Sequence, residues 1–115
     1  MPFQSHDEYF AAQPKKLRDR LARIQREVER QVPGCVRTIG YSLPAFRKGK
    51  IFFYFAAFTN HVGIYPPVTE DAELVKETES YRGPKGNLSF RHDTALPLRL
   101  IGKVAKALAS QYGAR

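Results

Sequence analysis

Residues 51–65 read Ile51-Phe52-Phe53-Tyr54-Phe55-Ala56-Ala57-Phe58-Thr59-Asn60-His61-Val62-Gly63-Ile64-Tyr65. The run from 51 to 58 is apolar at every position, which predicts a central strand covered on both faces. Thr59-Asn60 is a short turn signal, and 61–65 is a second strand that ends at two prolines. This stretch therefore predicts a β-hairpin at the centre of the fold.

A two-residue turn at 59–60 fixes which side chains share a sheet face. Three cross-strand pairs are predicted on one face: Phe58 with His61, Ala56 with Gly63, and Tyr54 with Tyr65. Because the middle pair is small, this face is predicted to be hollow between a rim of rings, which is a usual outline of a small-ligand site. The alternative is that a helix fills the hollow. The opposite face is predicted to be core: Phe53, Phe55, Ala57, Val62 and Ile64.

The sequence on either side of this hairpin predicts helices and shorter strands. Ser5 and Glu8 have capping-box spacing, Pro14 suits the first turn of a second helix, and Pro33-Gly34 ends that helix. The inward face of the second helix is predicted to hold Leu17, Leu21, Ile24 and Val28. Further predictions are strands over 36–41, 43–47 and 88–90, the second at an edge or bulge because of Pro44. A helix over 70–80 is predicted to be capped by Thr69, and a last helix to start at Pro97.

This order of elements predicts an α+β fold in which a mainly antiparallel sheet of four to five strands packs with N-terminal and C-terminal helices. The 115 residues are expected to form a single domain, 1–115. No apolar run approaches the ~20 residues that a membrane-spanning helix needs, and no secretory signal is visible. A single cysteine excludes an internal disulfide. We expect a cytoplasmic protein without membrane partners, as a monomer or weak homodimer.

The chain carries 19 Lys and Arg against 11 Asp and Glu, a net charge of +8, which favours anionic partners. One hypothesis is a nucleic-acid-binding domain; the alternative is a solvated basic surface. The candidate residues for nucleic acid are Arg20, Arg23, Arg30, Lys103 and Lys106. A nucleophile beside a base, an acid–base pair and a cofactor fingerprint are all missing from the sequence, so we expect no enzyme.

Several segments together resemble the YdhG-like family of bacterial proteins, a family of unknown function. The resembling residues are Ile39–Arg47, Tyr54–Pro66, Tyr81, Lys85-Gly86, Phe90 and Leu96-Pro97-Leu98. Where the family usually has a lysine before Asn-His, this chain has Thr59. The resemblance implies a small α+β domain.

For one branch of the family, the resemblance also implies a frataxin-like iron chaperone that supplies iron–sulfur cluster or haem assembly and contacts iron–sulfur assembly proteins. Oxygen ligands for iron would come from the acidic segment: Glu70, Asp71, Glu73, Glu77 and Glu79, with His61 a further candidate. The other hypothesis is a module that binds a small ligand or a peptide. Its predicted ligand-binding residues are Tyr41, Tyr54, Phe58, Asn60, His61, Tyr65 and Lys85.

Overall fold

The computed structural model describes residues 3–113, which form an α+β fold with one antiparallel sheet. The elements in chain order are α1 (His6–Ala11), α2 (Lys15–Gln31), β1 (Val36–Gly40), β2 (Leu43–Lys48), β3 (Lys50–Ala57), β4 (His61–Tyr65), α3 (Ala72–Glu77), a 3₁₀ turn (Glu79–Tyr81), β5 (Leu88–Arg91) and α4 (Leu98–Tyr112). The five strands lie side by side in sequence order, so every neighbouring pair is antiparallel. The predicted α+β architecture is confirmed.

The helices pack on one face of the sheet and form the core with it. The inward face of α2 buries Leu21, Ile24 and Val28, as its spacing predicts. The same buried cluster contains residues of α4 such as Ile101 and Leu108. It also contains residues from one face of the sheet: Phe46, Phe53, Phe55, Val62 and Ile64. The fold therefore has two layers, one of helices and one of sheet, and the described helices all lie on the same side of the sheet.

A β-bulge in β3 explains the uninterrupted apolar run. Phe46 pairs with Phe53, but the next residue of β2, Arg47, pairs with Ile51, so Phe52 is an extra residue. Phe52 and Phe53 are both fully buried. β3 is the central strand, as predicted, but the prediction that both of its faces are covered is wrong. The bulge sends two successive rings to the core, and the other face has no helix over it.

Two smaller predictions are also corrected. β2 lies between β1 and β3 rather than at an edge; Pro44 is tolerated because it is only the second residue of the strand. α3 is capped by Asp71, whose Oδ1 accepts from the Leu74 amide at 3.1 Å, so the helix starts after the predicted Thr69 cap. The remaining predicted helix and strand positions agree with the structure to within a few residues.

A buried histidine ties α1 and α2 to the sheet. His6 Nε2 lies 2.9 Å from the Ala45 carbonyl oxygen and 3.0 Å from that of Thr38, and Nδ1 lies 3.0 Å from the Gln25 amide nitrogen. Because carbonyl oxygens only accept, Nε2 carries the proton and Nδ1 accepts from Gln25. Burial lowers the pKa of His6, although its two backbone hydrogen bonds oppose that effect.

Within residues 3–113, no helix combines the length and apolar character needed to cross a membrane.

Candidate functional site

The helix-free side of the sheet, here called the open face, is the candidate site. Its residues follow from the strand register, since side chains alternate between faces. Four rows run across the strands: Val36–Arg47–Ile51, then Thr38–Ala45–Tyr54–Tyr65, then Ala56–Gly63–Ser89, and finally His61–Arg91 beside Phe58. Gly40 belongs to the same face, because a Cβ on it would lie 2.8 Å from Cε1 of Tyr54.

The predicted hairpin register is confirmed, but the predicted hollow is not there. Tyr54 pairs with Tyr65 and Ala56 with Gly63, as the two-residue turn requires. The rim rings, however, lie down over the small residues. A Cβ on Gly63 would lie 2.8 Å from Tyr65 Oη and 3.0 Å from Phe58 Cε2. Within residues 3–113 no helix covers the middle; the rings of Tyr65 and Phe58 themselves fill the space over Gly63 and make this part of the surface flush.

One end of the open face carries an unusually exposed tyrosine. Tyr41 is 88% exposed, and its ring centre lies 5.8 Å from that of Tyr54. Tyr41 and Ser42 form the β1–β2 turn with φ values of 54° and 62°, the left-handed region that favours Gly, Asn and Asp. A two-residue hairpin turn of this type requires positive φ at both positions, and a tyrosine there is strained; strained residues of this kind cluster at functional sites. Partial burial raises the pKa of Tyr54, and the neighbouring Tyr41 adds to this, so the phenol stays protonated and can donate.

A second pair of rings lies at the β3–β4 turn. Phe58 and His61 are stacked with ring centres 5.0 Å apart, and Phe58 is 40% exposed. The turn is held in place by backbone hydrogen bonds from Phe58 N to His61 O and from His92 N to Asn60 O, at 2.8 Å and 3.1 Å. The His92 ring also bonds the Phe58 carbonyl at 2.7 Å. This end of the open face therefore has a fixed, partly exposed ring pair.

The charge on the sheet has one sign. All eleven Asp and Glu residues lie outside the five strands, and no acidic residue occurs between 31 and 69. The strands carry only cations: Arg37, Arg47, Lys48, Lys50 and Arg91. On the open face, Arg47 lies at one end and Arg91 at the other, both exposed, with Asp93 2.8 Å from Arg91. The helical layer, by contrast, mixes both signs.

The residues predicted for nucleic acid lie on α2 and α4, in the helical layer, and several have partners within the chain. Arg30 pairs with Glu27 at 2.7 Å, and Lys103 with Glu77 at 3.3 Å. Arg20 donates to the carbonyl oxygens of Arg91 and Thr94 at 2.7 Å and 2.8 Å, so it links α2 to the end of β5. Arg23 and Lys106 are exposed.

Four of the predicted iron ligands line one groove between α3 and α4, of about 880 Å³: Glu70, Asp71, Glu73 and Glu77. Glu79, in the 3₁₀ turn, and His61, on β4, do not line it. Asp71 is engaged as the helix cap, and Glu77 pairs with Lys103. Among residues 3–113, no three or more His, Cys, Asp and Glu side chains form a group that could hold a metal ion. Predicted ligand residue Lys85 is exposed, in a loop outside the open face, and Asn60 is exposed in the β3–β4 turn.

Sequence reasoning identified the small pair Ala56 and Gly63 but missed the two arginines of the open face and a further small residue, Ala45. Ala45 is fully buried although it lies on this face, opposite Tyr54. A usable signal was present: the long stretch without a carboxylate coincides with the predicted strands. Counting charge by element rather than along the chain would have pointed to Arg47.

No protein-family profile and no curated protein matches this chain. A solved structure does: the crystal structure at 1.75 Å resolution of YdhG, a protein of the DUF1801 family from Bacillus subtilis. The two share a TM-score of 0.78 at 16% sequence identity, over 91% of this chain and 88% of that one. At this identity the likeness is one of fold. It confirms the small α+β fold that the resemblance to the YdhG-like family implies.

Proposed function

We propose that this protein is a non-enzymatic binding module whose open face binds a planar, anionic ligand. The observation that carries the proposal is the coincidence, on one helix-free face, of exposed rings with a charge of one sign. Flat rings are attracted to aromatic side chains and to arginine, and the cations favour a negatively charged group on the same ligand. The flush surface suits a ligand that lies across it better than one that enters a pocket.

The left-handed turn at Tyr41 supports the same proposal. A tyrosine 88% exposed contributes little to the core, and its backbone conformation costs stability. A residue that costs stability and packs so little is expected to serve a surface contact. Tyr54 lies beside it, with ring centres 5.8 Å apart and planes tilted by 46°, and extends the ring surface on which a ligand could lie.

An NMR titration with adenosine monophosphate as the simplest planar anion tests this proposal. We expect saturable shifts at backbone amides of β1–β4 near Tyr41, Tyr54 and Phe58, and weaker binding by Tyr41→Ala. Tyr112→Ala is the matched control, because Tyr112 is 38% exposed but lies on α4. Shifts that do not saturate, or that map to α2 and α4, would reject the proposal.

Iron delivery is the second candidate, and one observation favours it: four carboxylates of the acidic segment line the same groove. Anaerobic titration with ferrous iron tests it. Saturable binding that Glu73→Gln with Glu77→Gln abolishes, and that Asp19→Asn on α2 leaves intact, would support a role in iron delivery. Failure of the unaltered protein to saturate would reject it. The contacts with iron–sulfur assembly proteins depend on this candidate, whereas the cytoplasmic location remains an expectation from the sequence alone.

A further inference from the structure

We infer that the ligand of the open face is single-stranded nucleic acid, which lies across the sheet with its bases on the rings. This inference rests on the proposed function and specifies its ligand. Proteins that hold single strands combine aromatic platforms with cations that follow the backbone. The open face has both.

The spacing of the rings favours an oligomer over one nucleotide. Tyr54 on β3 and Phe58, the residue after β3, are four positions apart, which is about 13 Å at the rise of an extended strand. The ring pairs Tyr41–Tyr54 and Phe58–His61 are thus two separate stacking stations. One base cannot contact both, whereas two bases of the same single strand, a few nucleotides apart, can.

The cations of the open face are placed where a backbone would run. Arg47 lies in the row of Ile51, and Arg91 lies opposite His61 at the far end of the hairpin. Arg91 is also paired with Asp93 at 2.8 Å, so a phosphate there has to compete with this carboxylate, and Arg47 is the cation on which the test depends. Phe58 is seven positions after Ile51, and because the bulge at Phe52 takes up one of these steps, the distance along the strand is roughly 20 Å. At the spacing of about 3.4 Å per phosphate in one strand of B-DNA, about six nucleotides would span the open face, and a more extended single strand would need fewer.

The absence of acidic side chains from the strands removes the main obstacle to such a ligand. Carboxylates beside a phosphate backbone would repel it. The strands of this sheet hold none, and the eleven acidic residues are spread over the helical layer and loops. Tyr41, Phe58 and Tyr65 supply ring faces without adding negative charge, since neutral phenols and phenyls carry none.

Duplexes fit this surface less well. Bases that stack on protein rings must be unpaired, so a duplex of the same sequence offers only its phosphates. Single-stranded RNA and single-stranded DNA share the recognised chemistry, bases and phosphates. The 2′-hydroxyl is the only difference that the protein can use to separate them.

Fluorescence anisotropy with a labelled uridine octamer at physiological salt tests the inference. We expect saturable binding tighter than that of adenosine monophosphate, with Tyr41→Ala and Phe58→Ala each weakening it by about tenfold. The thymidine octamer is the second arm, and a duplex of the same length, expected to bind more weakly, is the third. Tyr112→Ala on α4 is the ring control and is expected to bind as the unaltered protein does.

Charge variants separate this site from general attraction to a basic protein. Arg47→Ala and Arg23→Ala remove the same charge, one from the open face and one from α2. Arg47→Ala should weaken binding and make the salt dependence shallower by about 0.7 in logarithmic slope. Arg23→Ala should change neither. Equal effects of the two, or loss confined to Arg23→Ala and Lys106→Ala, would overturn the inference.

The outcomes also separate this inference from the proposed function. If adenosine monophosphate binds the open face but neither octamer binds more tightly, the single-strand inference fails and the proposed function stands. If neither mononucleotide nor octamer saturates, both fail. Phe58 contacts other side chains, so Tyr41→Ala, at a residue 88% exposed, keeps the test valid if Phe58→Ala does not fold.

Discussion

Replacing His6 by phenylalanine should destabilise the protein and remove part of its dependence on pH. The imidazole is 2% exposed and packs edge-on against Phe46 and Phe55, with ring centres 5.2 Å and 5.7 Å away. A phenyl ring of similar size keeps these contacts. It cannot donate to the Ala45 carbonyl or accept from the Gln25 amide, which are both buried hydrogen bonds.

The expected cost follows from the partners that lose their hydrogen bonds. A buried polar group left unsatisfied costs about 1–3 kcal/mol, and two such groups remain in the variant. We therefore expect His6→Phe to lower the free energy of unfolding by about 3 kcal/mol. Urea unfolding at pH 7.5, followed by far-ultraviolet circular dichroism, measures this difference. A loss under about 0.5 kcal/mol would show that these bonds do not support the fold.

The sign of the pH effect follows from the lowered pKa of His6. Below pH 6.5, the ordinary pKa of histidine, the unfolded chain binds a proton that the folded protein resists, so unfolding takes up a proton. The stabilisation is complete above pH 6.5 and is lost as the pH falls towards the lowered pKa of the folded state. The unaltered protein should lose stability between pH 7.5 and 5.5, and His6→Phe should lose less. Equal losses in the two proteins would refute the account of His6.

Three further variants test the open face and its support. Asparagine adopts a φ of 54° more readily than tyrosine, so we expect Tyr41→Asn to add about 1 kcal/mol of stability in urea unfolding and to weaken nucleotide binding. Lower stability would contradict the strain argument. Gly63→Ala places a methyl group 2.8 Å from Tyr65 Oη, so the rings must move. We expect the free energy of unfolding to fall by about 1 kcal/mol and ligand binding to weaken. An unchanged affinity would count against the flush ring surface. Arg20→Ala removes two charge-assisted hydrogen bonds to β5 and the residues after it. Thermal unfolding should therefore show a loss of stability of about 2 kcal/mol, whereas Arg18→Ala, at an exposed position of the same helix, should change little. Equal melting temperatures of the two variants would contradict the link between α2 and the end of β5.

Local sequence signals determined the hairpin and the helices. Thr59-Asn60 has room for only two turn residues, so the register of β3 with β4 follows from counting, and the structure has that register. The face of α2 that packs on the sheet follows from the period of its apolar residues in the same way. Patterns within one element are enough for such predictions.

The predictions that failed depend on contacts between elements. An apolar run does not reveal a bulge, so Phe52 could not be assigned to a face from β3 alone. The orientation of the Tyr65 ring over Gly63 depends on rotamers that the pairing register does not determine. Along the chain the charged residues look dispersed. Their separation between the sheet and the helices becomes visible only when the positions of the strands are known. The hollow was therefore predicted where a flush ring surface lies.

Fluorine NMR of protein labelled with 3-fluorotyrosine tests the central claim most directly, because its six tyrosines divide between the two layers. Tyr41, Tyr54 and Tyr65 belong to the open face and its turn, whereas Tyr9, Tyr81 and Tyr112 belong to the helical layer or pack against the core. With the uridine octamer, we predict that the signals of the first three shift and saturate together while the other three stay in place. Shifts confined to Tyr9, Tyr81 and Tyr112, or no shift in any of the six signals, would contradict the assignment of the open face as the binding surface.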